Sequence, residues 1–236
     1  MTTEKRTALI TGNSSGLGLG LTRALMAEGW VIYGLSRRGC PEATAGDARV
    51  DLADLDAVGP AVAELLAPVE RLDLVILNAG LLGHVQNLSE ASMDELRRVM
   101  DVNVFANKPI LDHLLQRRLP VGQIVAISSG ASVSGNAGWS GYALSKAALN
   151  MLASLYAHEF PDTPFHALAP GLIDTAMQDY LCGDPDGERF ESVQNLRAAR
   201  GTPAMPEPED AARQVLMSLP RLRGIPTGRF ADIRQL

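Results

Sequence analysis

Short apolar runs alternate along this chain with longer segments of helical period, and few folds accept that alternation. Strands joined through helices run parallel, in a sheet that needs cover on both faces. The runs are Ala8 to Thr11, Val31 to Leu35, Ala48 to Leu52, Leu74 to Leu77, Gln123 to Ser128, Phe165 to Leu168 and a weaker one from Arg229 to Ile233. The first helical segment sets Leu17, Leu21 and Leu25 on one face and stops at Gly29, a residue suited to a left-handed C-terminal cap. The pattern predicts an α/β fold, a doubly wound parallel sheet of about seven strands. With 236 residues, 46% of them apolar, one core suffices, and residues 1–236 read as a single domain.

Local signals refine this. Ser92-Met-Asp-Glu95 has capping-box spacing at the start of a long helical region, and Pro109 predicts a kink or break in it close to Asn103. From Cys182 to Glu209 the chain is dense in glycine, proline and charge, with Arg189 to Arg200 helix-like. That stretch reads as part of a mobile excursion, about 176–209, over a site. The net charge of -6, with 27 acidic and 21 basic residues and no long run of either sign, argues against nucleic-acid partners. Cys40 and Cys182 lie far apart without ligand spacing, so neither a disulfide framework nor a metal site is expected. No apolar segment has the length of a signal peptide or a membrane span, which leads to the expectation of a cytoplasmic protein without membrane partners.

Between the first strand and the first helix stands Thr11-Gly12-Asn13-Ser14-Ser15-Gly16-Leu17-Gly18. Glycines there let backbone approach a pyrophosphate, and the helix N-terminus offers free N–H groups and a favourable dipole. Three residues separate the first two glycines, so the turn departs from the common dinucleotide fingerprint. Gly12 to Gly16 also fits a hydrolase nucleophile elbow, with Ser14 as nucleophile and His158 or His166 as base. The second strand ends Ser36-Arg37-Arg38, where NAD enzymes of this fold place a carboxylate for the ribose 2′-OH. A hydroxyl followed by two guanidinium groups suits a 2′-phosphate instead, so NADP(H) is expected in preference to NAD(H).

Further along come Asn78-Ala79-Gly80 after the fourth strand, Asn103, Ser128-Ser129 ending the fifth strand, and Tyr142-Ala-Leu-Ser-Lys146. Together with the glycine-rich turn, these residues in this order resemble the short-chain dehydrogenase/reductase family, from Thr7 to about Thr175. The resemblance implies a Rossmann-type sheet, a nicotinamide cofactor and a catalytic set of Asn103, Ser129, Tyr142 and Lys146. Reduction of a carbonyl needs a proton donor and groups that stabilise the developing alkoxide. Lys146, one helical turn beyond Tyr142, favours the ionised phenol by charge. By resemblance it also holds the nicotinamide ribose, Ser129 polarises the carbonyl, and the distorted backbone at Asn103 holds a water that links Lys146 to solvent. The resemblance further implies an adenine contact at Asp51, contacts at Asn78, Ala79 and Gly80, and a segment closing over the nicotinamide at Pro170, Gly171, Ile173 and Thr175.

The substrate is expected to be a small carbonyl compound or alcohol. Gly83-His84, Ala131 to Trp139 and Met177 to Phe190 should surround it, with Trp139, Met177, Tyr180 and Phe190 as apolar or aromatic walls suited to an aryl ketone or diketone. His84 reads as a surface-loop histidine. The segment Gly171 to Gln178 and the ending Gly228 to Arg234 look similar to sepiapterin reductase-like and benzil reductase-like members. The glycine pair that ends many family members is absent. The alternatives are a 3-oxoacyl-thioester reductase of the same family and a non-catalytic NADP(H)-sensing protein. The alanine-rich helix from Tyr142 to Phe160 implies, by resemblance, a homodimer or homotetramer.

Overall fold

In the computed structural model the described residues are 5–183 and 185–236. Met1 to Glu4, and Asp184 inside the expected excursion, lie outside them. The chain runs β1 (Thr7–Thr11), α1 (Gly16–Ala27), β2 (Val31–Ser36), β3 (Gly46–Arg49), α2 (Leu55–Leu65), β4 (Leu74–Leu77), α3 (Met93–Met100), a π-helical turn (Asp101–Phe105) and α4 (Asn107–Gln116). It continues through β5 (Ile124–Ile127), α5 (Ala131–Ser134), α6 (Ser140–Glu159), β6 (Phe165–Ala169), α7 (Ala176–Gly183), a 3₁₀ turn (Pro185–Arg189) and α8 (Glu191–Ala199). It ends with α9 (Pro208–Leu222), β7 (Phe230–Asp232) and a second 3₁₀ turn (Ile233–Gln235).

Among the described residues the seven strands form a parallel sheet in the order β3-β2-β1-β4-β5-β6-β7. Alternation along each strand divides the core. Leu9, Val75, Leu77, Ile124 and Ala126 face one layer, which holds Val58 and Val62 of α2, Ile110, Leu111 and Leu114 of α4, and Leu149 and Ala153 of α6. Ala8, Ile10, Leu74, Ile76, Val125 and Ile127 face the other, where α1 contributes Leu17, Leu21 and Leu25 and α9 contributes Ala211, Ala212 and Val215. Each of the three leucines of α1 stabilises the fold by about 2 kcal/mol through burial.

Six predicted strands match closely, and the third begins two residues earlier than expected. Asp47 and Ala48 are half-buried on an edge strand, where an apolar run is a poor guide to pairing. Gly29 has φ +79°, and the Gly29 and Trp30 amides donate to the Met26 and Leu25 carbonyls at 2.9 and 3.1 Å, a complete Schellman motif. The capping box forms by half. Ser92 accepts the Glu95 N–H at 3.2 Å, but the Glu95 carboxylate turns to the His84 N–H and the Gln86 amide, at 2.6 and 2.7 Å. The break expected near Asn103 is the π turn itself, in which the Ala106 N–H reaches the Asp101 carbonyl at 2.8 Å.

The excursion is more structured than its composition suggests. Leu181, Phe190, Val193, Leu196 and Met205 form a small core of their own with Val85, packed against Trp139 and Leu172. Among the described residues no helix is long and apolar enough to cross a membrane, no cluster of His, Cys, Asp or Glu could hold a metal ion, and both cysteines are free.

Candidate active site

Strand order reverses between β1 and β4, which opens a crevice at the carboxyl ends of the strands. A cavity of about 940 Å³ lies there. Its floor is the glycine-rich turn. Gly12, Ser14, Ser15, Gly16 and Leu17 face it, α1 begins without a side-chain cap, and its first turn carries no acidic residue. Uncapped N–H groups and the dipole of α1 therefore aim at the cavity, an arrangement that fits a pyrophosphate.

Two residues of that turn serve it from behind. Asn13 is fully buried, does not line the cavity, and donates from Nδ2 to Asp47 Oδ1 at 2.9 Å, tying the turn to β3. Gly18 also stands outside the lining; a Cβ there would lie 2.2 Å from the Gly12 carbonyl oxygen. Both were expected to touch a cofactor; the structure sets both outside the cavity lining, where they fix the shape of the turn. Asn78 lines the cavity while its Nδ2 donates to the Thr11 carbonyl at 3.0 Å, so it too holds the turn. Among the described residues no hydrogen bond joins Ser14 to a histidine, and His166 is buried in β6, with Nε2 3.1 Å from the Ile225 carbonyl.

At one end of the cavity stand Ser36, Arg37, Arg38 and the exposed Asp51. Arg38 donates to Ser15 Oγ at 2.8 Å, and the buried Ser36 hydroxyl accepts the Gly39 N–H at 3.1 Å. Ala79, Gly80, Pro170, Gly171, Ile173 and Thr175 line the middle.

At the other end are Ser129, Tyr142 and Lys146. Tyr142 and Lys146 sit one turn apart on α6, with Lys146 Nζ 5.7 Å from the Tyr142 ring centroid. Lys146 is 3% exposed and donates to the Ile127 carbonyl at 2.7 Å. Burial pulls its ammonium down to about 8. Burial raises the Tyr142 pKa, opposed by the neighbouring Ser129 hydroxyl. The sequence-based expectation was that Lys146 would lower Tyr142; in the protein alone desolvation is the larger effect on both groups. Ser129 Oγ accepts the Ala131 N–H at 3.1 Å. Ser128 is buried and donates to Asn150 Oδ1 at 2.6 Å, which sets it apart from the pair.

Asn103 is buried behind this group. Its amide bonds both ways to the Leu81 backbone, at 2.6 and 2.8 Å, and donates to Ser145 Oγ at 2.8 Å. The Ser145 hydroxyl in turn donates to the Tyr142 carbonyl at 2.7 Å. Asn103 Oδ1 and Lys146 Nζ flank Gly80, where a Cβ would lie 3.3 and 3.4 Å from them. The Asn103 carbonyl, displaced by the π turn, accepts the Asn107 side-chain amide at 3.0 Å.

Of the expected walls, Trp139 and Met177 line the cavity, and Trp139 Nε1 donates to Ser192 Oγ at 2.9 Å. Tyr180 and Phe190 do not line it. On α7 the inward face is Met177, Gln178 and Leu181, which leaves Tyr180 43% exposed, and Phe190 is buried against Gly138. Gly83 and His84 also stand outside the lining. The exposed His84 lies against Glu95, as a surface-loop histidine would.

Sequence reasoning missed Leu82, Ser192, Asn195 and, above all, the ending Asp232, Arg234 and Gln235, all of which line the cavity. Arg234 holds the Asp232 carboxylate below the usual range. The signal available was an acid at a strand end followed two residues later by arginine.

The comparisons with known proteins agree with this geometry. A Schizosaccharomyces pombe protein described as an uncharacterized oxidoreductase is 32% identical to this chain, covering 98% of it and 97% of the relative. A benzil reductase ((S)-benzoin forming) from Saccharomyces cerevisiae is 32% identical, over 92% of this chain and 90% of its own. The crystal structure of a short chain dehydrogenase from Burkholderia cenocepacia in complex with NADP superposes with a TM-score of 0.75 at 25% identity, covering 97% of this chain and 95% of that one. The family model described as short chain dehydrogenase matches residues 6–185. On that match, and with the parallel sheet described above, this chain belongs to the short-chain dehydrogenase/reductase family of oxidoreductases.

Proposed function

We propose that this protein is an NADP(H)-dependent carbonyl reductase that converts a ketone or diketone to the alcohol, or runs the reverse reaction. The observation that carries this reading is the grouping of Ser129, Tyr142 and Lys146 in one cavity wall, with Lys146 Nζ 5.7 Å from the Tyr142 ring, in the same cavity as Arg37 and Arg38. The S. cerevisiae benzil reductase and the NADP complex from B. cenocepacia support the carbonyl chemistry and the cofactor.

The residues fit the cofactor. Gly12 and Ser14 to Leu17 would hold its pyrophosphate, Ser36, Arg37 and Arg38 its 2′-phosphate, Asp51, Asn78, Ala79 and Gly80 the adenosine, and Pro170, Gly171, Ile173 and Thr175 its nicotinamide. When bound, the nicotinamide supplies the hydride. Ser129 donates a hydrogen bond to the carbonyl oxygen, and Tyr142 delivers the proton there. Lys146, held charged below about pH 8, stabilises the Tyr142 phenolate that remains. Asn103 acts through position: it joins Leu81 to α6 and displaces the backbone where a water could feed the proton path. The whole chain works as one dinucleotide-binding and catalytic unit, with 176–209 as its cover and with Trp139 and Met177 against the substrate. On α6, Leu144, Met151 and Leu155 form an exposed apolar stripe, and we infer that this face pairs with a second copy.

The test is a panel of aryl ketones, diketones and 3-oxoacyl thioesters offered with NADPH and with NADH. Preferred turnover of aryl ketones or diketones with NADPH is expected, and Arg37→Ala should weaken NADPH more than NADH. A preference for the thioesters would move the assignment within the family. Tight NADPH binding without turnover across the panel would mark a sensing protein.

A further inference from the structure

A polar anchor contributed by the chain's ending stands at the substrate end of the cavity, outside every role assigned above. β7 pairs with β6 through Asp232 and Ala169, which carries the last turn to the loops after β5 and β6. There Ile233 Cγ2 lies 3.9 Å from where a Cβ of Gly171 would stand, and Arg234 Nη2 lies 3.8 Å from that of Gly130. Gly130 directly follows Ser129.

The guanidinium is oriented by Asp232, although the Arg234 side chain is 68% exposed. Asp232, 8% exposed, accepts from Arg234 Nε at 2.9 Å and from Nη2 at 2.5 Å, and its Oδ1 also accepts the Arg234 backbone N–H at 3.0 Å. A fork of this kind fixes the plane of the guanidinium. It engages two of the five N–H donors of the group and leaves three, two on Nη1 and one on Nη2. Both Arg234 and Asp232 face the cavity.

Charge selects what those donors can take. The cavity is lined by the cations Arg37, Arg38, Lys146 and Arg234 and by the carboxylates Asp51 and Asp232, an excess of two positive charges. The pyrophosphate and 2′-phosphate of NADPH bring about four negative ones. With Arg234 already compensated by Asp232, a substrate carboxylate would add to a negative surplus. A neutral acceptor meets no such opposition, and a carbonyl oxygen is one. Arg234 Nη2 comes within 3.8 Å of the Cβ position of Gly130, the residue next to Ser129, so the free donors open onto the same part of the cavity as Ser129.

The geometry points to Arg234 as the residue that selects neutral vicinal dicarbonyl compounds: it holds the second carbonyl oxygen while the first lies at Ser129 and Tyr142. This inference rests on the carbonyl-reductase reading.

The experiment compares benzil with deoxybenzoin, in which a methylene replaces one carbonyl, using wild type and Arg234→Ala with NADPH. Wild type should favour benzil in kcat/KM. The substitution should lower kcat/KM for benzil roughly ten- to a hundredfold more than for deoxybenzoin, the loss expected of a charged hydrogen bond. Arg234→Met, which keeps much of the stem and carries no N–H donor, gives the same comparison should the alanine variant fail to fold. Equal losses for the two ketones would make Arg234 a structural residue and overturn the proposal. A rise in the NADPH Kd that matches the benzil loss would make it a cofactor contact, with the same consequence. Those outcomes leave the carbonyl-reductase reading intact, whereas wild type that reduces neither ketone overturns both.

Discussion

Lys146 carries its charge into a place where burial opposes it, and that conflict sets a pH dependence. Its pKa is depressed to about 8 from the ordinary lysine value, so the free protein loses this proton as pH rises through about 8. An unfolded chain keeps the proton to higher pH, so this group alone makes the fold more stable as pH climbs above about 8. A ligand that needs the ammonium feels the opposite trend. The NADPH Kd is therefore expected to rise with pH from about 8 upward, and Lys146→Met should flatten that rise; titration calorimetry across pH 6.5 to 9.5 checks it. Tyr142, Lys146 and Ser129 were legible in the sequence because a helical pair and a strand-end serine are local features. Arg234 was not, because β7 reaches the cavity only through its pairing with β6. That Tyr180 stands outside the cavity lining was not legible for a related reason: an aromatic in the right segment gives no indication of which face of α7 turns inward.

At the scale of elements, the glycine-rich turn shows how residues behind a cavity wall can set the wall's shape. Gly12 stands at φ +69°, Asn13 ties the turn to β3, and Gly18 lets α1 start directly behind the Gly12 carbonyl. A methyl group at Gly18 must displace backbone. Gly18→Ala is expected to weaken NADPH binding at least tenfold and to lower Tm, since overpacking of this kind costs about 1–3 kcal/mol. Gly29→Ala meets nothing within 4 Å of the added Cβ and strains only a left-handed cap, at about 1–2 kcal/mol, so it should lower Tm while leaving the NADPH Kd unchanged. Fluorescence titration beside thermal melts separates the two. The sequence placed this turn and most strands correctly because periodicity and glycine position are short-range signals. The half-formed capping box was beyond it, because Glu95 finds the His84 and Gln86 donors only in the folded chain.

For the whole molecule, the sheet order was legible as a class, since alternating strands and helices leave little else. The excursion was not, because polar composition conceals the five apolar residues that, with Val85, give it a core. The stripe on α6 carries a prediction at this scale. Met151→Glu with Leu155→Glu should convert a dimer or tetramer to smaller species in analytical ultracentrifugation, and wild type sedimenting as a monomer would refute the pairing. The central claim is that Tyr142 hands the proton to a carbonyl while a bound nicotinamide supplies the hydride. Its most direct test is NADPH consumption with benzil by wild type and by Tyr142→Phe, with the NADPH Kd measured for both. The account predicts that kcat falls by about a hundred- to ten-thousandfold in the variant while the Kd stays within a few-fold of wild type; a variant that turned over at near-normal rate would contradict it, because phenylalanine can neither give nor take the proton.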